Sequence, residues 1–266
     1  MNLALTFAVM AQLAYGSGPT VRLPRNFQPA TLAGVDLRRG VFATASVKAF
    51  VVEGLVNNVP TLIVAYRGSD GDEGWRRALR NINKGYSELQ PLTKAIETYA
   101  STGGRVLLIG HSQGGAMAQL FMYAHARDSH YRAVTYGSPG ALPQARIFGL
   151  RSDPRITNYA VTDDPFVFFG EHRGELAAYG RSHPLRGLLV ALGISQESGL
   201  SLPQVLASVS LASVNYVNNG ALIGLPGKHP RLTLASVVKA DPSEHDVETY
   251  VQRLQGARTE EPRLWD

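Results

Sequence analysis

The stretch from Arg105 to Ala126, RVLLIGHSQGGAMAQLFMYAHA, constrains the fold more than any other part of the chain. Arg105-Val-Leu-Leu-Ile is apolar without alternation after its first residue, as a strand buried on both faces requires. Gly114 to Ala126 is rich in Ala, Met and Leu and lacks proline, which reads as a helix. Only Gly-His-Ser-Gln separates the two, so the strand must turn at once into the helix. The surrounding chain repeats this alternation. SVKAFVVEGLV and PTLIVAYRG read as a hairpin turning at Asn57-Asn58. Trp75 to Thr102 is helical in pattern and stops at Ser101-Thr-Gly-Gly. Arg132–Tyr136 and Ile156–Val161 are further strand candidates. Strands alternating with helices predict a single α/β domain over 1–266, its mostly parallel central sheet covered by helices on both faces.

The remaining segments are read around that sheet. Leu5, Ala8, Val9, Leu13 and Ala14 recur at helical spacing, so the N-terminus is expected to be a docking helix. A cleavable leader would carry basic residues ahead of its apolar region, and the first basic residue here is Arg22, so none is expected. Gly16 to Gly40, with Pro19, Pro24 and Pro29, is expected to be mostly loop. Gly187 to Gly227 has Glu197 as its one charged residue. Its Leu, Val, Ala and Ser predict an apolar helical insertion over about 185–228, a lid or cap broken by Gly193, Ser-Gln-Glu-Ser and Pro203. The last helix is placed at Ser243–Leu254, with Ser243 as its cap.

Composition excludes several classes. With 44% hydrophobic and 18% charged residues, the chain has the balance of a globular protein and not of a disordered one. No apolar run approaches the roughly 20 residues that span a bilayer. Together with the missing leader, this leaves a cytoplasmic location or export by a leader-independent route as the expectation. The absence of cysteine excludes disulfides, thiolate metal sites and a cysteine nucleophile. The net charge of +5 suits contact with an anionic surface, but no nucleic-acid-binding signature accompanies it, so no nucleic acid partner is expected.

Ser112 lies at the centre of Gly110-His111-Ser112-Gln113-Gly114, a G-x-S-x-G string between strand and helix. A serine hydroxyl attacks usefully only when it projects from a sharp turn toward a base. The flanking glycines give room for strained dihedrals. The following helix points its unpaired N–H groups at the reacting centre. The N–H of Gln113, directly after the nucleophile, is one expected oxyanion donor.

The set LIVAYRGSD, GHSQGG, VTYGSPG and a later Asp–Pro, spanning about residues 60–166, resembles the class 3 lipases, the fungal-type branch of the α/β-hydrolase fold. Gln113 stands where that family commonly has leucine, a departure that leaves its backbone N–H in place. The resemblance implies an α/β-hydrolase fold and acyl transfer by a Ser-His-Asp triad, without metal or organic cofactor. It also implies Ser69, in Tyr-Arg-Gly-Ser, as the second oxyanion donor, and a structural role for Arg67. In this fold the acid follows the serine and the histidine comes last. Asp163 and Asp164 both follow the strand ITNYAV; the resemblance favours Asp164, directly before Pro165. Chain order removes His111, His125 and His130 as base, and His172 lies close behind the acid. Of His183, His229 and His245, the last is preferred: it stands near the start of the terminal helix, as the base does in members of that family whose comparable helix carries an aromatic residue.

The resemblance implies a lipid or other ester as substrate. A lipase needs an apolar surface beside its serine. Leu188, Leu189, Leu192, Val205, Leu206, Val209 and Val217 are candidates for it, with core or a dimer interface as the other reading. Arg76, Arg77, Arg80 and Lys84 share much of one helical face, as contact with an anionic membrane surface would use, with an ordinary solvated helix face as the other reading. The expected function is a lipase or phospholipase-like serine ester hydrolase. The alternatives are a carboxylesterase or thioesterase for short acyl groups, or a non-catalytic scaffold of the same fold.

Overall fold

The computed structural model describes residues 2–16, 22–68, 82–143, 152–185, 187–188, 191–192, 202, 216–233, 236, 241–256 and 259–265. Its centre is an eight-stranded sheet. The strands are β1 (Phe27–Pro29), β2 (Val41–Ala43), β3 (Lys48–Val56), β4 (Val59–Tyr66), β5 (Arg105–His111), β6 (Tyr131–Tyr136), β8 (Ile156–Val161) and β10 (Ala221–Leu225). Spatial order runs β1-β3-β4-β5-β6-β8-β10, with β2 also on β3. From β4 to β10 the neighbours are parallel, while β1, β2 and β4 are antiparallel to β3. A separate two-stranded ribbon joins β7 (Leu142–Pro143) to β9 (Tyr216–Val217). A mostly parallel sheet between helices is the α/β arrangement expected.

Alternate residues of the central strands serve two cores, because successive side chains point to opposite faces. Leu62, Val64 and Tyr66 of β4 and Val106 and Leu108 of β5 pack with Met117, Phe121 and Met122 of the helix Gln113–Ala124, and with the helix Gln90–Ser101. Ile63, Leu107, Ile109, Val134 and Tyr136 face the other way, onto the N-terminal helix Leu3–Leu13 and the C-terminal helix Val247–Gly256. The N-terminal helix therefore docks as expected. Asn2 caps it by accepting from Leu5 N–H at 2.8 Å, and Glu261 accepts from Leu3 N–H at 3.0 Å. The β3–β4 turn has Asn57 and Asn58 at φ 50° and 61°, the type I′ pair that matches the twist of a hairpin.

One expectation is refined and three change. The loop Gly16–Gly40 contains β1, paired to β3 at the sheet edge, where Pro29 can lie without disrupting a central ladder. The helix expected over Trp75–Thr102 is, within the described residues, two helices, Ile82–Glu88 and Gln90–Ser101, with Pro91 in the first turn of the second. The insertion of 185–228 ends in strands: β10 pairs parallel with β8, so the apolar run Ala221–Leu225 completes the sheet instead of a cap. Finally, His245 does not lie inside the last helix. Pro242–His245 is a 3-10 turn, Asp246 is extended, and the helix begins at Val247. Asp241, not Ser243, supplies the cap, accepting from Ser243 N–H at 2.9 Å.

No helix among the described residues is long and apolar enough to cross a membrane.

Candidate active site

The carboxyl ends of β4, β5, β6 and β8 converge at Ser112, directly after β5. Ser112 has φ 56° and ψ −127°, a conformation that costs a non-glycine residue on the order of 1–3 kcal/mol and persists only where neighbours enforce it. The neighbours are backbone. Ser112 N–H donates to Tyr136 O at 2.9 Å, and Ser112 O accepts from Gly115 N–H at 3.0 Å and Ala116 N–H at 3.3 Å. The strain sits on the serine; the two glycines of the motif serve close approach. A Cβ on Gly110 would overlap the Gly114 carbonyl, and one on Gly114 would overlap Tyr66 O. The elbow is thus wedged between β4 and its own helix.

His245 lies over this elbow. Its Nε2 is 2.8 Å from Ser112 Oγ, and its Nδ1 is 2.8 Å from Asp164 Oδ2. A carboxylate only accepts, so Nδ1 carries the proton and Nε2 offers its lone pair to the serine hydroxyl. Asp164 is 2% exposed and is fixed from two more directions. Its Oδ1 accepts from Phe166 N–H at 2.7 Å and Val167 N–H at 3.2 Å, capping the helix Pro165–Glu171. Its Oδ2 also accepts from the Tyr250 hydroxyl at 2.6 Å. Burial, and then the Asp164 charge, push the Tyr250 phenol well above its ordinary pKa, so it stays a donor. The Phe166 ring lies 4.3 Å from the His245 ring, centre to centre.

The competing candidates are elsewhere. Asp163 is also buried, but its Oδ2 accepts from His229 N–H at 2.8 Å, and it fastens the loop 227–229 instead of the imidazole. His183 stacks on Tyr179 and His172 pairs with Glu175. His125 and His130 pair with Glu97 and Asp128. His229 is exposed. Ser112, Asp164 and His245 are therefore the three that the fold brings together. Gln113 opens the helix after the elbow, where amide groups have no acceptor within the helix. Ser69 lies outside the described residues. Gly68 before it presses on the elbow, since a Cβ there would be 3.0 Å from Ser112 Cβ.

The turn that carries His245 is clamped from outside the triad. Glu244, fully buried, takes two contacts from Arg253 Nη2, at 2.8 and 3.1 Å, and one from Lys228 Nζ at 3.1 Å. Lys228 Nζ also bonds Asp241 Oδ2 at 2.9 Å and Ser243 Oγ at 3.2 Å. Thr249 Oγ1 donates to Ser243 O at 2.7 Å. Apart from Ser243, read as a helix cap, neither these residues nor Tyr250 stand out in the sequence. An aromatic three residues into the terminal helix was the one available signal for Tyr250. Of the apolar candidates, Leu188 and Leu192 are exposed and Val217 is half-buried; Leu189, Val205, Leu206 and Val209 lie outside the described residues. So do Arg76, Arg77, Arg80 and the side chain of Lys84. Among the described residues, no three His, Asp or Glu side chains group as a metal site would need.

A serine on a strained strand-to-helix elbow, bonded to a histidine that is bonded to a buried aspartate, is the geometry that acyl transfer by a serine requires. Residues 44–145 match the family model described as lipase (class 3), the family that the motifs resemble. The match covers β3 to β7 with the elbow; Asp164 and His245 lie beyond it. The chain is similar to the lipase of Rhizomucor miehei solved in a propeptide complex, at 17% identity and TM-score 0.43, over 59% of this chain and 60% of that one. The lipase from Rhizopus microsporus var. chinensis is similar at 14% identity and TM-score 0.43, over 61% and 66%. Lip2 lipase from Yarrowia lipolytica is similar at 16% identity and TM-score 0.44, over 84% and 78%. The chain thus spans less than two thirds of the length of the first two. No curated protein matches the chain.

Proposed function

We propose that the protein is a serine ester hydrolase that cleaves acyl esters of lipids, acylglycerols or phospholipids, by acyl transfer through Ser112. The observation that carries this reading is the hydrogen-bond chain Ser112–His245–Asp164 at a strained elbow. In the acylation step His245 Nε2 takes the Ser112 proton as Oγ attacks the ester carbonyl carbon. Asp164 stabilises the imidazolium without taking the proton itself. The N–H of Gln113 and that of Ser69 receive the oxyanion; each such donor is worth about 100- to 1000-fold in turnover. His245 then protonates the departing oxygen as the C–O bond breaks and the alcohol leaves. Water attacks the acyl-enzyme with His245 again as base, releasing the acid and restoring Ser112.

The preference for lipid rests on Leu185, Leu188 and Leu192, which are 81%, 38% and 37% exposed at spacings of three and four, an apolar stripe that water disfavours and an acyl interface accepts. The net charge of +5 suits an anionic membrane surface as the place of action. The test is hydrolysis of p-nitrophenyl esters from C2 to C16, then of triacylglycerol emulsions and phosphatidylglycerol vesicles, by wild type and Ser112→Ala. Activity that peaks at C8 or longer and is lost in the variant is expected. A peak at C2 to C4 would replace the lipid reading with a soluble esterase. Equal traces from the two proteins, or none from either, would overturn ester hydrolysis by Ser112.

A further inference from the structure

The histidine inside the elbow, dismissed as a base by chain order, has both ring nitrogens engaged in the core of the site. His111 Nε2 is 2.7 Å from the backbone carbonyl oxygen of His245, and His111 Nδ1 is 2.7 Å from the hydroxyl of Tyr15. A carbonyl oxygen has no proton to give, so Nε2 must be the donor. Burial, with the His245 ring as a second cause, holds the His111 pKa well below its ordinary value, so the ring is neutral and Nδ1 is an acceptor. The Tyr15 hydroxyl therefore spends its one hydrogen on His111 Nδ1. Its oxygen accepts in turn from Gly68 N–H at 3.1 Å. Every direction in the chain is thereby assigned: Gly68 N–H to Tyr15 O, Tyr15 O–H to His111 Nδ1, His111 Nε2–H to His245 O.

This chain joins three loops that sequence keeps far apart. Gly68 immediately precedes Ser69, the proposed oxyanion donor. His245 is the proposed base. Tyr15 follows the N-terminal helix, which is itself fastened beneath the site by Tyr136, whose hydroxyl donates to Ala4 O at 2.6 Å. The junction is also sterically exclusive. A Cβ on Gly68 would overlap the Tyr15 hydroxyl and lie 2.7 Å from His111 O, so position 68 admits glycine alone while Tyr15 is in place.

We propose that His111 and Tyr15 are positioning residues for acyl transfer, a relay that ties the oxyanion loop at Gly68 to the backbone of the base His245 so that the two are held at one spacing across Ser112. The relay rests on the serine hydrolase reading. Neither residue touches the reacting atoms; both act through the loops they bond. The N-terminal helix, which ends just before Tyr15, then helps to position the site as well as forming part of the core.

The test uses Tyr15→Phe, His111→Phe, His111→Gln and the double variant Tyr15→Phe/His111→Phe, each normalised to the fraction labelled by a fluorophosphonate and assayed on p-nitrophenyl butyrate. Loss of one buried hydrogen bond that orients both loops is expected to lower kcat about 10-fold in Tyr15→Phe, with KM within about twofold. His111→Gln, whose amide both donates and accepts, should recover at least about fivefold of what His111→Phe loses. Because both residues act in one chain, the double variant should be no worse than His111→Phe within about twofold. Unchanged kcat in Tyr15→Phe, a loss carried by KM, absent rescue by glutamine, or additive losses in the double variant would each overturn the relay. Wild type that neither turns over nor labels defeats the hydrolase reading and the relay with it. Wild type that does both while Tyr15→Phe matches it defeats the relay alone. Tyr15→Phe keeps the ring and its packing, so it decides the matter even if His111→Phe fails to fold.

Discussion

The elbow at Ser112 and the turn at His245 meet in one hydrogen bond and are built from opposite materials. Around Ser112 the restraint is main chain against main chain: Tyr136 O on Ser112 N–H, two amides on Ser112 O, and glycines pressed onto Tyr66 and onto each other. Around His245 the restraint is side chains from distant segments: Lys228, Asp241, Thr249 and Arg253 on the turn, His111 on its last carbonyl, Asp164 on its ring. The first arrangement enforces a conformation that no isolated serine prefers. The second holds an ordinary turn at one place above it. Strained geometry is kept by backbone contacts that cannot swing away, while placement is left to bonds that can be lost one at a time. The elbow should then fail all at once, and the turn by degrees.

The largest effect is expected where the elbow is wedged. Alanine at Gly114 puts a Cβ onto Tyr66 O and 2.7 Å from Tyr66 C, and a sheet carbonyl has nowhere to go. Overpacking of this kind costs about 1–3 kcal/mol or more, and a displaced nucleophile loses about 100-fold for an ångström. Gly114→Ala should lower the thermal midpoint and cut kcat by more than about 100-fold on folded protein. Calorimetry and active-site-titrated turnover check both; near-normal turnover would mean the elbow is as forgiving as the turn.

The same contrast explains how much could be read without coordinates. The elbow, the I′ hairpin at Asn57-Asn58 and the strand that delivers Asp164 are written in contiguous residues, because each is decided by local pattern and immediate backbone geometry. The order serine, acid, histidine then narrows the base to three candidates. What could not be read is whatever depends on partners far along the chain. Tyr15 and His111 look like ordinary residues of a helix end and a motif until residue 15 is folded against residue 111. The resemblance favours Asp164 over Asp163, but the physical reason lies in the fold, where one caps the helix Pro165–Glu171 and the other receives His229 N–H. The strand Ala221–Leu225 is hidden in an apolar segment because Leu222 is exposed and Gly224 lacks a side chain, which blurs its alternation. His245 reads as helical because Asp246, the residue that breaks the helix, carries no sequence mark of a stop.

On the turn side, Tyr250→Phe removes one donor from Asp164 Oδ2 and the acceptor for Val161 N–H at 3.2 Å, while the ring packing stays. A hydrogen bond to a charged group is worth about 1.5–3 kcal/mol, of which only the share that steadies His245 bears on rate. The expected loss in kcat is about 5- to 30-fold, short of the elbow variant. Titration gives an independent sign. The folded phenol binds its proton more tightly than an unfolded tyrosine does, so its contribution to stability is whole below about pH 10 and declines as pH rises through that unfolded value toward the folded one. Wild type should lose thermal stability above pH 10 more steeply than Tyr250→Phe; equal slopes would show that the buried phenol carries none of the linkage.

The smallest effect belongs to the outermost clamp. Lys228 sits between two anchors, Gly227 N–H on Thr162 Oγ1 at 3.2 Å and His229 N–H on Asp163 Oδ2, and from there reaches Asp241 and Glu244. Its head is half exposed, so screening weakens each contact, and Arg253 still covers Glu244 when it is gone. Lys228→Ala should lower kcat only about two- to fivefold, the range of an exposed ion pair. A sharper reading comes from Asp241, whose carboxyl is held down at about 2, first by the Lys228 hydrogen bond and then by those from Ser243. A depressed carboxyl contributes stability above its unfolded value near 3.9 and loses it as pH falls through the folded one, so this part of the clamp should release between about pH 4 and 2. In Lys228→Ala the Asp241 value should rise toward the ordinary range, stopping short of it because Ser243 remains. A carboxyl carbon NMR titration of Asp241 in the two proteins reads the shift directly. An unmoved titration would mean that Ser243 alone holds Asp241, and that the histidine turn is fixed by Arg253, His111 and Asp164 without help from the loop at 227–229.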